Sequence, residues 1–406
     1  ENDSNSETEK VDKNKKDTKK PKLKDEFLKP TGKVVGIIRR NWRPYCGTID
    51  KESVQRVNGN QSLQSVFFWS IDRRVPKIRI RTRQADYLLG KRIIVSVDSW
   101  PIDSKYPNGH FIRTLGDCGD RETETEVLLL ENDVPYAPFS KQVLSFLPEE
   151  GDKWIVKDEH LEGREDFRHL DVCSIDPPGC TDIDDALHCI PLKNGNFQVG
   201  VHIADVSHFV KPGNSMDLEA RRRGTTVYLV NKRIDMLPPL LGTNLCSLHC
   251  NVDRLAFSVI WEITPDAEII NTKYTKSIIR SRASLEYSEA QARLDDKNAT
   301  DPVSIGIKGL NSLAKKLAEK RKENGALTLS SPEVKFTLEE DQQDPLDVEM
   351  KQLQETNKLV EEFMLLANIS VARKIHEHFP ETAVLRRHPQ PLQESFEKLN
   401  AALEDI

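Results

Sequence analysis

The sequence predicts an α+β chain, a small β-barrel followed by a larger mixed α/β region. Two observations carry this. Between residues 30 and 140, short apolar runs recur between turn-forming residues, and one of them, Lys77-Ile78-Arg79-Ile80-Arg81, alternates strictly between apolar and cationic side chains, the two-residue period of a strand. Beyond residue 171, strand-like runs give way to stretches in which apolar residues recur every three or four positions, the period of a helix.

Residues 1–29 are mostly Asn, Ser, Asp, Glu and Lys. So little apolar surface does not offset the entropy of ordering, and the segment is expected to be a disordered charged linker. Its Lys13–Lys24 part fits a nuclear-import signal or an RNA-attracting tail as well as a plain solvated linker. Within 30–140, the runs 34–38, 66–69, 77–81, 92–97 and 109–115 read as strands, and 123–132 as a closing helix. Short strands at this spacing predict a barrel of the oligonucleotide-binding (OB) type. Residues 141–170 are polar, with Pro148-Glu149-Glu150-Gly151 in their middle, and read as a connector. After it, 197–210 and 255–264 read as strands, and 311–324 and 352–376 as helices. In the last helix Leu359, Phe363, Leu366 and Ile369 form an apolar stripe expected to face a core.

Charged residues make up 31% of the chain and the net charge is -6. The charge is segregated, with roughly +11 on residues 29–113 and an acidic remainder. Such a division suits a protein that holds a polyanion with one part and a metal ion with another, although ordinary surface charge also explains it. Seven scattered cysteines without a C-x-x-C pair argue against a disulfide framework, and Cys246, His249 and Cys250 alone fall short of a zinc site. No apolar run reaches the length of a membrane span.

The chemistry concentrates in Ser174-Ile175-Asp176-Pro177-Pro178-Gly179-Cys180-Thr181-Asp182-Ile183-Asp184-Asp185-Ala186-Leu187. Four carboxylates fall within ten residues, and the Pro-Pro-Gly turn lets Asp176 fold back toward the other three. Converging carboxylates repel one another unless a hard divalent cation neutralises them. An EF-hand loop counted from Asp182 would need Glu at its twelfth position, where Lys193 stands. A carboxylate pair for sugar cleavage and a solvated acidic turn remain as alternatives. If they hold metal, chemistry that fits four carboxylates beside a basic neighbour is phosphodiester hydrolysis.

These residues resemble the signature of the ribonuclease II family of exoribonucleases, whose catalytic domain is called RNB. Further matching stretches follow in order: Val199–Val206, Arg223–Leu229, Met236–Pro238, Asn244–Leu248, Glu361–Asn368 and Arg386–Pro389. From about residue 30 onward the chain is most similar to the branch of the family that serves the eukaryotic RNA exosome. The resemblance implies processive 3′-to-5′ hydrolysis of single-stranded RNA to nucleoside 5′-monophosphates, with Mg²⁺ as cofactor. It also implies RNA processing and decay with the RNA exosome core ring subunits as partners. The implied location is the nucleus, in nucleolus and nucleoplasm, with the cytoplasm second. It makes Asp176, Asp182, Asp184 and Asp185 the catalytic, metal-holding aspartates. Asp176 and Asp185 are the most direct ligands and Asp184 the most sensitive position. Tyr228 matches an aromatic that stacks on the 3′-terminal nucleotide, with a core tyrosine as the alternative. The cationic face of the alternating barrel strand makes Arg79, Arg81 and Arg83 the expected substrate-binding contacts to RNA phosphates.

The family's arginine-rich Ser-Pro-x-Arg-Arg-Tyr stretch does not occur, nor do its C-terminal S1 barrel, first cold-shock barrel or N-terminal endonuclease domain. The expectation is a second cold-shock domain at 30–140 and an incomplete RNB domain at 171–406, within a longer protein. This piece alone is expected to be inactive and poorly stable, and robust metal-dependent RNA degradation by it would overturn that. The rival readings are a non-catalytic RNA-binding module that guides strands, and a docking scaffold.

Overall fold

The computed structural model describes residues 31–404 except 34, 56–61, 231, 327–333, 339–344, 351–352, 388 and 391. The segment expected to be disordered, 1–29, lies outside the described residues. The chain divides into two compact units, Glu1–Glu131 and Asn132–Ile406.

The first unit is a closed five-stranded barrel. Its strands are β1 (Tyr45–Ile49), β2 (Gln64–Ser70), β3 (Ile78–Thr82), β4 (Lys91–Ser99) and β5 (Asn108–Asp117), with a short helix α1 (Ala85–Leu88) before β4. They close in the order β1-β2-β3-β5-β4, with β4 pairing back onto β1. Only β3 and β5 run parallel. Closure leaves no open edge, and each strand turns one face inward. On β3 Ile78 and Ile80 are fully buried while Arg79 and Arg81 are exposed, as the alternation predicts. Val66, Phe68, Ile93 and Val95 fill the same core. Helix α2 (Arg121–Glu131) caps the barrel with Val127 against Cys46 and Ile94, and Glu131 Oε1 accepts the Cys46 amide at 2.7 Å.

The barrel departs from expectation at its start. Residues 35–38 form no strand, and Val35, Ile37 and Ile38 are exposed. The first strand is β1 instead. There the backbone passes so close to Trp69 that a Cβ on Gly47 would lie 1.9 Å from the Trp69 carbonyl oxygen. A strand with a glycine at its centre carries little of the alternation by which strands are read.

The second unit is built on a seven-stranded mixed sheet. In chain order it contains α3 (Lys141–Leu144), β6 (Glu165–Asp166), β7 (Cys173–Asp176), β8 (Asp185–Pro191), β9 (Phe197–Ala204), α4 (Val206–Phe209) and α5 (Ser215–Arg223). A two-stranded ribbon follows, β10 (Val227–Tyr228) and β11 (Arg233–Ile234). Then come β12 (Asp253–Ile263), β13 (Ile269–Arg280), β14 (Ala283–Glu286), α6 (Tyr287–Asp295), α7 (Pro302–Glu323) and α8 (Glu355–His378). The sheet order is β14-β7-β8-β9-β12-β13-β6. Helices α7 and α8 cover one face, with Ile307, Leu310, Leu313, Leu359 and Phe363 against Leu187, Val201 and Trp261. Asp301 caps α7 by accepting the Ser304 amide, and Pro302 starts the helix, where a missing N–H costs nothing.

Four expectations for this unit change. Strand β9 ends at Ala204 rather than 210, because Asp205 turns the chain into α4. Helix α7 begins at Pro302, well before 311. On α8 the stripe drifts around the helix: Leu359 and Phe363 are buried but Ile369 is 46% exposed, and Ala367 and Ser370 take the inner positions. The 141–170 stretch, read as a connector, packs into this unit, with Val143 and Trp154 buried and β6 forming the sheet edge.

The other sheet face carries a buried polar chain across four neighbouring strands. His188 Nδ1 meets His202 Nε2 at 2.8 Å, His202 Nδ1 meets Ser258 Oγ at 2.6 Å, and Ser258 Oγ meets Ser277 Oγ at 2.6 Å. Burial lowers His188 to about 4 and holds His202 well below the usual histidine range. A depressed histidine adds stability above its unfolded value near 6.5 and loses it as pH falls toward the folded one. For His188 that loss is on the order of 3 kcal/mol between pH 6.5 and 4. Denaturant midpoints measured across that window should fall more in the wild type than in His188→Asn. The difference between the two proteins separates the imidazole from carboxyls that titrate in the same range.

Candidate active site

The four aspartates sit at one end of the sheet, where β7 leaves it and β8 enters. Asp176 is the last residue of β7 and Asp185 the first of β8. The strands pair antiparallel through Cys173 and Leu187, a register that carried onward sets Asp176 across from Asp184. Gly179 turns the chain between them at φ 74°, a conformation glycine adopts without strain, and the Cys180 amide donates to the Pro177 carbonyl at 3.2 Å.

The loop is strapped down between its carboxylates. Ile183 is buried against Leu248 and Ala256, which leaves Asp182 and Asp184 on either side of it turned outward. The Ile183 amide donates to Ser247 Oγ at 2.9 Å, and that hydroxyl donates to the Thr181 carbonyl at 2.9 Å. The Leu248 amide donates to the Ile183 carbonyl, and the Ala204 amide to the Asp184 carbonyl. Arg254, itself buried, donates to the Ser247 carbonyl at 2.8 Å and to Asn244 Oδ1 at 3.1 Å. The backbone of the acidic loop is thus fixed from β12 and the turn before it.

Burial and repulsion from neighbouring carboxylates push Asp176, Asp184 and Asp185 upward. Asp185 rises to about 7, chiefly through burial and then through Asp176 and Asp184. Asp176 rises through burial, with Asp184 and Asp182 adding to it. The Ser174 hydroxyl opposes that rise without making a hydrogen bond that satisfies either group, so Asp176 Oδ2 and Ser174 Oγ are both buried without a partner. Asp184 is the most open of the four. The loop strips part of its water and Asp182 adds repulsion, while Arg233 opposes the rise. Tyr287 stands on the deep side, its hydroxyl pushed up by burial and then by Asp185 and Asp176.

Asp182 differs from the rest. Arg233 Nη1 stands 2.5 Å from its Oδ1, and Arg233 Nε stands 2.6 Å from Asp235 Oδ1. Arg233 pairs across the ribbon with Tyr228, which is 71% exposed and so is no core tyrosine. Because Arg233 touches Asp182, its ribbon partner Tyr228 lies beside the loop, and Asp182 and Asp184 both raise the Tyr228 hydroxyl after its partial burial.

The structure therefore brings Asp176, Asp182, Asp184, Asp185 and Tyr228 to one place. Among the described residues no three Asp, Glu, His or Cys side chains stand so that they could hold a metal ion together as placed. The donor set nevertheless suits a hard cation, and the unpaired Asp176 oxygen is an atom such an ion would satisfy. Arg79, Arg81 and Arg83 are exposed on the other unit, on and just after β3. Sequence reasoning missed Arg233, Tyr287, Ser247 and Arg254. Ser247 lay inside a quoted family stretch, the only signal that could have marked it.

Comparison with known proteins adds the lineage. A family model described as the RNB domain matches residues 164–406, and one described as Dis3-like cold-shock domain 2 (CSD2) matches residues 65–133. The chain belongs to the RNB family. Among curated relatives, the Homo sapiens exosome complex exonuclease RRP44 is 59% identical over 94% of this chain and 39% of that protein. The Schizosaccharomyces pombe exosome complex exonuclease dis3 is 57% identical over 92% of this chain and 39% of its own length. This RNB chain thus spans about two fifths of those relatives. In fold it is similar to Mycoplasma genitalium RNase R in complex with ribose methylated single-stranded RNA, with a TM-score of 0.78 at 20% identity over 92% of this chain and 57% of that one. Yeast Ssd1, described as a pseudonuclease, gives a TM-score of 0.70 at 22% identity over 91% of this chain and 45% of its own. The OB-type barrel and mixed α/β RNB architecture predicted from sequence are thus both present.

Proposed function

We propose that the protein is a 3′-to-5′ exoribonuclease that hydrolyses single-stranded RNA to nucleoside 5′-monophosphates as the catalytic subunit of an RNA exosome. The observation that carries this reading is the crowding of four carboxylates at one sheet end, with raised carboxyls and an unpaired buried oxygen on Asp176. A binding module gains nothing from uncompensated anions near phosphate. Family membership and the names of the RRP44 and dis3 relatives support the same reading.

Asp176 and Asp185 would hold Mg²⁺, with Asp184 beside them. When bound, the ion supplies charge neutralisation at the phosphate and lowers the pKa of water. The rest falls to the chain's own residues. The strap from Ser247 and Arg254 holds the carboxylates at fixed spacing, so little reorganisation is needed during reaction. The exposed Tyr228 ring offers a stacking surface for the terminal base, worth about 1–3 kcal/mol. Arg79, Arg81 and Arg83 offer phosphate contacts from the barrel. The partners in this proposal are single-stranded RNA and the exosome core ring subunits, and the location is the nucleus, with the cytoplasm second. No helix of the described residues is long and apolar enough to cross a membrane.

The test uses the full-length protein and a 5′-labelled single-stranded RNA. Mg²⁺-dependent release of nucleoside 5′-monophosphates, stopped by chelator, is expected. Equal decay by wild type and Asp184→Asn would sink the catalytic reading, and RNA binding without any decay would establish the guiding module. Tyr228→Ala should weaken retention of the RNA end by about 5- to 150-fold, measured by dissociation of a 3′-labelled strand.

A further inference from the structure

We infer that Asp182 tethers the RNA-stacking ribbon through Arg233 and does not ligate the metal. This rests on the proposed function and divides the labour among its four aspartates. Three observations carry it. Asp182 already has a cationic partner, with its Oδ1 at 2.5 Å from Arg233 Nη1, whereas Asp176 Oδ2 is buried without a partner. A guanidinium against one carboxylate repels a dication from that same carboxylate. Arg233 is the cross-strand partner of Tyr228, and such partners project from the same face of a ribbon.

The ribbon needs such a tether. It is two residues long on each strand and forms a sheet of its own, and two-stranded ribbons are marginal unless something holds them. Arg233 bridges Asp182 on the acidic loop and Asp235 just past the ribbon, using Nη1 for one and Nε for the other. The forked guanidinium allows this double grip, which an ammonium reproduces only in part. The arrangement holds Tyr228, through its ribbon partner, at a set position beside the acidic loop. Arg233 is therefore a positioning residue that acts through Tyr228.

The test is a double-mutant cycle in the full-length protein, in the Asp184→Asn background so that RNA is not consumed. The probe is single-stranded RNA with 2-aminopurine at its 3′ end, whose fluorescence is quenched on stacking. Arg233→Ala and Asp182→Asn should each weaken binding of that end by about tenfold, and the double variant by no more than either alone. Arg233→Lys should restore part of the quenching, and in Tyr228→Ala both changes should fall silent. Mn²⁺ binding, measured by calorimetry in the otherwise wild-type protein, should survive Asp182→Asn and be lost in Asp176→Asn. Additive losses, unchanged quenching in Arg233→Ala, or loss of Mn²⁺ in Asp182→Asn equal to that in Asp176→Asn would overturn the inference. Failure of the exoribonuclease reading would appear separately, as wild-type protein that does not degrade RNA. The binding cycle does not depend on turnover.

Discussion

Asp184→Asn is expected to slow Mg²⁺-dependent RNA decay by about a thousandfold or more, roughly 4 kcal/mol in the barrier, with RNA binding retained. Asp184 is the most open of the four carboxylates, so it is the one that faces an arriving phosphate. Its fold role is carried by its backbone, whose carbonyl accepts the Ala204 amide, and the substitution leaves that bond intact. Removing one negative charge near a polyanion does not weaken binding. The measurement is single-turnover decay of labelled RNA by the full-length protein, with binding read on the same strand. Asp176→Asn should differ in kind, because it removes the buried carboxylate that a cation would satisfy and so lowers metal affinity as well as rate.

Arg164→Ala should destabilise the second unit by about 3–5 kcal/mol. Arg164 Nη2 lies 2.5 Å from Asp205 Oδ2, and the two side chains are only 6% and 4% exposed. The same guanidinium donates to the Ala256 and Ser277 carbonyls at 3.3 and 3.4 Å. Truncation leaves a buried carboxylate without its closest cation, with only Ser207 at 2.6 Å and Lys276 at 3.7 Å as weaker company. Replacing both partners with apolar residues, Arg164→Met with Asp205→Leu, should recover more than half of the loss. The Asp205 carboxyl is held below its ordinary range even though burial pushes it up, because the Ser207 hydroxyl and Arg164 outweigh that burial. A depressed carboxyl confers stability above its unfolded value and loses it as pH falls through the folded one. The penalty of Arg164→Ala should therefore shrink in acid. Urea midpoints at neutral and acid pH measure both effects, and equal penalties at the two would contradict the pairing.

What could be read from the sequence depended on how local the cause was. Strand β3 was readable because its alternation lies within five residues. The aspartates were readable because one turn gathers them in a single window. Strand β1 was missed because Gly47 interrupts its pattern, and the exposed 35–38 run was mistaken for a strand because β-branched composition does not say whether a partner exists. The 141–170 stretch looked like a connector because its anchors are distant. Arg164 is held by Asp205, Ala256 and Ser277, none of them near it in the chain. Arg233 was invisible for the same reason. An arginine in a short polar stretch has no signature until the fold sets a carboxylate beside it.

The strap under the acidic loop also orders events in time. The aspartates leave the ribosome well before Ser247 and Arg254, the residues that fix their backbone. Until β12 is laid beside β9, the loop has neither its buried Ile183 contact nor its hydrogen bonds, and its carboxylates remain solvated and apart. Contacts of such sequence separation form late, after the local ones. A nascent chain therefore carries the four carboxylates before their backbone is held as one site. The acidic site is assembled only as the sheet closes, so on the proposed function an unfinished protein would be silent toward the RNAs around it.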